Sequence, residues 1–262
     1  MVDIADFPIG VSTVQDYYRR PENVAEYEEI RYETPGGAVI DERRNQWIRE
    51  FFESYEESID WSEEAPLDGR RVLVSAGGTG RTARYVADET GADTVCLGAS
   101  RPMLQEAVRR DLDDAGIAYV QGDACRLPFG DEFDYAISLR SAHVLDGDIT
   151  EYLSEMGRVA DRGVLTNTFS AYSLHSLYAP FLAQDGKTFP DDTVETYIEE
   201  VDTVVENDRS NEFVVPYAGF YVAGNIDALT PIVSPLERAN EALETGVADR
   251  IASVTVWNLE SV

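Results

Sequence analysis

Apolar residues fall into two regimes along this chain. Between 11 and 60 they recur at helical spacing: "VQDYYRRPENVAEYEEIRYE" reads as helix broken at Pro21, and "TPGG" at 34–37 reads as a turn. The following "AVIDERRNQWIREFFESYEE" places Val39, Ile40, Trp47, Ile48, Phe51 and Phe52 on one helical stripe. After the turn "APLDGR" (65–70), short apolar runs alternate with helical stretches. "RVLVS", "DTVCLG", "IAYVQ", "FDYAISL" and "GVLTNTF" read as strands, with helices over 80–90, 101–114 and 147–160 between them. Strands of this kind are buried on both faces, which predicts an α/β fold around a parallel sheet. Residues 171–210 read as a helical insertion. "EFVVPYAGFYV" and "ASVTVWNLE" read as two last strands around a helix at 234–245, hairpin-like at the sheet edge. The expected architecture is a Rossmann-like, seven-stranded, mostly parallel sheet with helices on both faces and an N-terminal helical cap.

Charge narrows the partners. Fifty acids against 21 bases give a net charge of −29, and Lys187 is the sole lysine. The acids are spread along the whole chain, and 14 Tyr with 10 Phe argue for a packed core rather than a disordered polyanion. Such a composition is expected of a salt-adapted, halophilic chain, because molar salt screens self-repulsion within about 3 Å. It argues against nucleic acid as a partner, since that needs a basic face. "MVDIADFPIG" has no basic n-region, and no stretch approaches ~18 apolar residues, so no leader and no membrane span are expected. Cys96 and Cys125 have no CxxC spacing, which suits a reduced, cytoplasmic setting, and no metal-ligand spacing is present.

The chemistry gathers at "VLVSAGGTGRTARYVA" (72–87), a strand, a glycine turn and a helix. Glycines there let backbone approach a ligand, and the helix N-terminus points N–H groups at it. At the carboxyl end of the first strand of a doubly wound sheet, such a loop lies where ligands gather.

Four blocks resemble the class I S-adenosylmethionine-dependent methyltransferases, specifically the small-molecule "type 11" group. They are "VLVSAGGTGRTARYVA", "CLGASRPMLQEA", "GDACRLPFGDEFDYAISL" and "EMGRVADRGVL", and "YEEIRYETPGG" resembles that group's helical cap. The resemblance covers roughly 17–170 well and implies S-adenosylmethionine as cofactor and a small molecule as methyl acceptor. It implies one domain over 1–262: cap 1–65, cofactor-binding half 66–170, insertion and C-terminal strands 171–262. It implies that Gly78 and Gly80 pass under the methionine part of the cofactor, Asp123 and Ala124 meet the adenine amine, and Ser100 and Met103 flank ribose and adenine. Arg31 would approach the methionine carboxylate; as a residue type it equally suits a surface ion pair, just as Asp123 equally suits a turn cap. Tyr27 and Tyr32 are candidates to line the cap, or to pack plainly.

Three positions depart from the group's pattern. Val74 stands where an acid is usual, Ala76 replaces the loop's first glycine, and Gly98 replaces the acid that ends strand two and grips the ribose. A hydrogen bond to a charged group is worth ~1.5–3 kcal/mol, so each lost grip weakens binding by about one to two orders of magnitude. A degenerate binding or regulatory protein without catalysis is therefore the second expectation. A third is an NADP-binding short-chain dehydrogenase-like protein, in which Ser100 and Arg101 would take the 2′-phosphate. That family's Tyr-x-x-x-Lys pair is missing, because Ala183 precedes Lys187 by four residues. His143, after the fourth strand, is the candidate general base, and His175 a weaker one. Oligomeric state is not encoded in any readable pattern.

Overall fold

The computed structural model describes residues 18–33, 35–111, 116–141, 149–169, 207–212 and 254–260. Five parallel strands form its centre: β1 (Arg71–Val74), β2 (Asp93–Gly98), β3 (Ala118–Gln121), β4 (Phe133–Ser138) and β5 (Ala160–Phe169). β6 (Asn207–Glu212) and β7 (Val254–Glu260) complete a seven-stranded sheet in the order β3-β2-β1-β4-β5-β7-β6. β7 runs antiparallel to both β5 and β6. The last two strands do pair at one edge, with β6 outermost and β7 against β5.

Strand alternation divides the core. Val72, Val74, Cys96, Tyr135 and Ile137 face one cluster, whereas Leu73, Val95, Leu97 and Ala136 face the other. The first is closed by α3 (Pro35–Tyr55) and α4 (Arg81–Thr90). The second is closed by α6 (Ile149–Val159) through Tyr152, Leu153, Met156 and Val159. Of the expected stripe on α3, Ile40, Trp47, Ile48, Phe51 and Phe52 are all at most 2% exposed, whereas Val39 is only half-buried. Each contributes on the order of 1.5–3 kcal/mol of burial, which fixes the cap onto the sheet. Two short helices, α1 (Pro21–Ala25) and α2 (Tyr27–Arg31), precede it, and α5 (Arg101–Arg110) follows β2.

Two expectations need correction. "TPGG" is no turn: Pro35, Gly36 and Gly37 lie inside the first turn of α3. Proline is tolerated there because the first-turn N–H groups have no intrahelical partner to lose. Residues 207–210, expected in a helical insertion, open β6, so the sixth strand covers 207–212 rather than starting at 212. Its sequence NDRSNE has no apolar run to mark it; its register comes from pairing with β7, as suits a polar edge strand. The remainder of the expected insertion, the rest of the expected sixth strand and the 234–245 helix lie outside the described residues. Among the described residues no helix is long and apolar enough to cross a membrane.

Candidate functional site

The strand order reverses between β1 and β4, which lie side by side while β2 and β5 lead outward in opposite directions. In an open α/β sheet that switch point leaves a crevice at the carboxyl ends of the strands, the usual place for a ligand.

One wall is the glycine loop. Ser75 N–H donates to Ile137 O at 2.9 Å and Gly77 N–H to Leu97 O at 2.8 Å, so the loop is braced on both neighbouring strands. Ala76, Gly78 and Gly80 all have positive φ, at 51°, 56° and 76°. Ala76 thus holds a left-handed conformation at which a side chain costs about 1–2 kcal/mol. A Cβ on Gly78 would enter open space, whereas one on Gly80 would lie 3.0 Å from the Ala107 Cβ. Gly78 faces open space, and Gly80 lets α4 pack against α5.

The opposite wall follows β4. Ser138 Oγ donates to Ser75 O at 2.8 Å and shares a 2.5 Å bond with Ser141 Oγ. Thr166 Oγ1 donates to Ser138 O at 2.9 Å. Arg140 has φ of 60°, and Asn167 Oδ1 accepts its N–H at 2.7 Å. The Arg140 guanidinium donates to Tyr32 Oη at 2.5 Å and lies 5.3 Å from that ring's centroid. Arg81 covers the same ring at 4.1 Å. Tyr32, from the cap, is therefore gripped by one arginine from each wall.

Beneath it stands a charged cluster that the sequence reading missed. Glu28 of α2 is fully buried, and its carboxylate accepts from Thr79 Oγ1 and, at 2.5 Å, from Arg81 Nη1. Arg81 also pairs with Asp41 on α3, and Asp41 pairs with Arg44 at 3.0 Å.

The expected site residues are distributed as follows. Gly78 and Gly80 line the loop just described. Ser100 caps α5, its Oγ accepting from Met103 N–H at 3.3 Å and donating to Tyr18 O at 2.6 Å. Met103 is buried at 6% exposure, and at Gly98 the Leu104 Cδ2 lies 3.2 Å from where a Cβ would be. Asp123 is exposed and caps a turn, Oδ1 accepting from Cys125 N–H at 2.9 Å. Ala124 packs into the second core cluster. Tyr27 meets Tyr32 edge-on at 5.8 Å, so both belong to the cap's aromatic face. Arg31 is the last residue of α2. His143 and His175 lie outside the described residues. Val74, in the acid's usual place, is a core residue at 1% exposure, packed in the cluster that α3 closes. Among the described residues no cluster of three or more His, Cys, Asp or Glu could hold a metal ion.

Burial pushes the Cys96 thiol up to about 12. Its Sγ lies 2.5 Å from where a Gly77 Cβ would be, so this cysteine is packing material under the loop rather than a nucleophile.

Comparison with known proteins agrees with this geometry. Residues 72–163 match the family described as a methyltransferase domain. The chain is 39% identical over 95 residues to a demethylmenaquinone methyltransferase of Beutenbergia cavernae, covering 36% of this chain and 38% of that one. It is 38% identical over 113 residues to the ubiquinone/menaquinone biosynthesis C-methyltransferase of Paracoccus denitrificans, covering 40% and 43%. The matched part is thus under half the length of these curated relatives. Among solved structures, phosphoethanolamine N-methyltransferase 2 of Haemonchus contortus, in complex with S-adenosyl-L-methionine, superposes with a TM-score of 0.59 at 18% identity, over 97% of this chain and 61% of that one. Residues 72–163 thus resemble a methyltransferase domain, and the chain shares the α/β fold of a solved N-methyltransferase.

Proposed function

We propose that the protein transfers a methyl group from S-adenosylmethionine to an O, N or C nucleophile of a small molecule. The observation that carries this reading is the open cradle over Gly78 at the switch point, within the segment that matches a methyltransferase domain. The similarity to a demethylmenaquinone methyltransferase and to a ubiquinone/menaquinone biosynthesis C-methyltransferase supports a small-molecule acceptor.

S-adenosylmethionine supplies, when bound, an electrophilic methyl group on a sulfonium. The chain's own work is to bind, orient and exclude water. Gly78 leaves room for the ligand against the loop backbone. Ser100, through its cap on α5, holds the turn after β2, where Met103 flanks the site. Asp123 presents a carboxylate whose second oxygen is available to an exocyclic amine. Arg31 is the candidate partner for a carboxylate, and His143 the candidate base for the acceptor's proton. Tyr32, clasped by Arg81 and Arg140, ties the cap to both walls of the crevice.

A second reading, a methyltransferase fold that binds without catalysis, is favoured by one observation: Val74 is committed to the core and leaves no carboxylate on β1. Incubation with methyl-labelled S-adenosylmethionine and a panel of quinols, catechols and amines separates the two. Label transferred to a small acceptor supports catalysis. Cofactor binding with no transfer to any acceptor supports the second reading.

A further inference from the structure

The segment from Tyr18 to Tyr32 is fastened to the loop after each of three neighbouring strands. Ser100, after β2, donates through Oγ to Tyr18 O at 2.6 Å. Thr79 and Arg81, after β1, donate to Glu28. Arg140, after β4, donates to Tyr32 Oη at 2.5 Å. β2, β1 and β4 lie side by side in the sheet, so the segment crosses their carboxyl ends, where the switch-point crevice opens. A row of rings joins its two ends: Tyr18 meets Tyr27 edge-on at 5.4 Å, and Tyr27 meets Tyr32 at 5.8 Å.

This segment is held differently from the rest of the cap. α3 is fixed by Ile40, Trp47, Ile48, Phe51 and Phe52, all in the core. Within the segment, Val24 and Glu28 are the buried side chains among those described. A groove of about 190 Å³ separates it from α5, lined by Val24, Ala25, Pro102 and Gln105. Elements with few buried apolar contacts open locally, well below the cost of global unfolding. The three fastenings are polar bonds to loops, so breaking them leaves α3 and the sheet packed.

We infer that the segment is a strap that opens to admit a ligand and recloses behind it, with Arg140 as its catch. The catch is set from β5. Asn167 Oδ1 accepts the Arg140 N–H at 2.7 Å, and the arginine holds a left-handed backbone, φ 60°, from which its guanidinium reaches Tyr32. A charged donor makes that bond a strong one. Asn167 is thus a positioning residue that acts through Arg140. While the closed strap dominates, ligand enters in proportion to the open fraction, and weakening the catch raises that fraction. The inference rests on the proposed ligand site at the glycine loop.

The experiment follows S-adenosylhomocysteine binding by stopped-flow fluorescence in wild type, Tyr32→Phe, Asn167→Ala and the double variant, with circular dichroism and hydrogen exchange on each protein. Tyr32→Phe keeps the ring under both guanidinium groups and removes only the hydroxyl. Its association rate constant is expected to rise about tenfold or more, with dissociation rising in step. In the same variant, before ligand is added, amides of α1 and α2 should exchange faster while those of α3 do not change. Asn167→Ala should also speed association, and the double variant should be no faster than Tyr32→Phe, because both changes release one catch. Gains that multiply overturn the role given to Asn167; if Asn167→Ala does not fold, Tyr32→Phe decides alone. An unchanged association rate, with or without faster dissociation, overturns the strap. Unchanged exchange in α1 and α2 overturns it whether or not S-adenosylhomocysteine binds. No binding of S-adenosylhomocysteine to folded wild type contradicts the cofactor reading instead, and the exchange rates then judge the strap.

Discussion

Asn167 on β5 accepts the backbone N–H of Arg140 at 2.7 Å, and Arg140 is held at φ 60° by that bond. Left-handed backbone at a residue with a side chain persists where neighbours over-determine it, and such positions concentrate at functional sites. Asn167 is 3% exposed, so replacing it leaves a part-buried N–H without this acceptor. Asn167→Ala is expected to cost about 1–3 kcal/mol in urea unfolding and to loosen the Arg140–Tyr32 contact. A stability change below about 0.5 kcal/mol, the range of ordinary surface substitutions, would show that the turn holds itself.

Acid should unfold the protein from the amino edge of the sheet. Burial raises the Glu56 carboxyl, but hydrogen bonds from Tyr135 and Arg70 outweigh it, and the carboxyl lies below its ordinary range. Tyr135 Oη donates to it at 2.6 Å and Arg70 pairs with it at 3.0 Å, and Arg70 and Arg162 both reach Asp134. A carboxyl depressed by folding contributes stability above its unfolded value, about pH 4.3, which is lost as pH falls through the folded one. The urea midpoint should therefore fall between about pH 5 and pH 3, and less steeply in Glu56→Gln. An identical pH slope in the variant would remove Glu56 from the account.

We expect the fold to need salt. A charge of −29 acts over about 10 Å at 0.1 M and about 3 Å at 1 M. Melting followed by circular dichroism should shift upward between 0.1 M and 3 M KCl. An unchanged melt would contradict salt adaptation.

Much of this fold was legible because burial and periodicity coincide. β2 runs over 93–98 as its apolar run does, and α3 buries the stripe from Ile40 to Phe52. The cap's entry was misread because Pro-Gly-Gly signals a turn as readily as a helix start. β6 was misplaced because its strand character comes from its partner rather than its own side chains. Around the loop, Gly78 and Gly80 were visible through local turn chemistry, whereas Ser100 entered only through the family resemblance and its cap on α5 was not read. Glu28 was not, because it is one of 50 acids and its partners lie half a hundred residues away. Arg140 was missed for a different reason: a left-handed φ at a non-glycine residue leaves no mark in sequence.

Gly98 tests how the cradle copes without its acid. A Cβ there would lie 3.2 Å from Leu104 Cδ2, so Gly98→Asp requires the leucine tip to give by a few tenths of an ångström. The expected result is a slightly lowered melting temperature with S-adenosylhomocysteine bound about tenfold tighter, through a new charge-assisted bond. Weaker binding than wild type would place the ribose away from β2.

The crevice between the glycine loop and Arg140 is the proposed seat of S-adenosylmethionine. Calorimetric titration of S-adenosylhomocysteine into folded wild type, with NADP as control, tests it most directly. Saturable one-to-one binding of S-adenosylhomocysteine and none of NADP is the expected result. NADP binding in its place, or no binding of either ligand by folded protein, would contradict it.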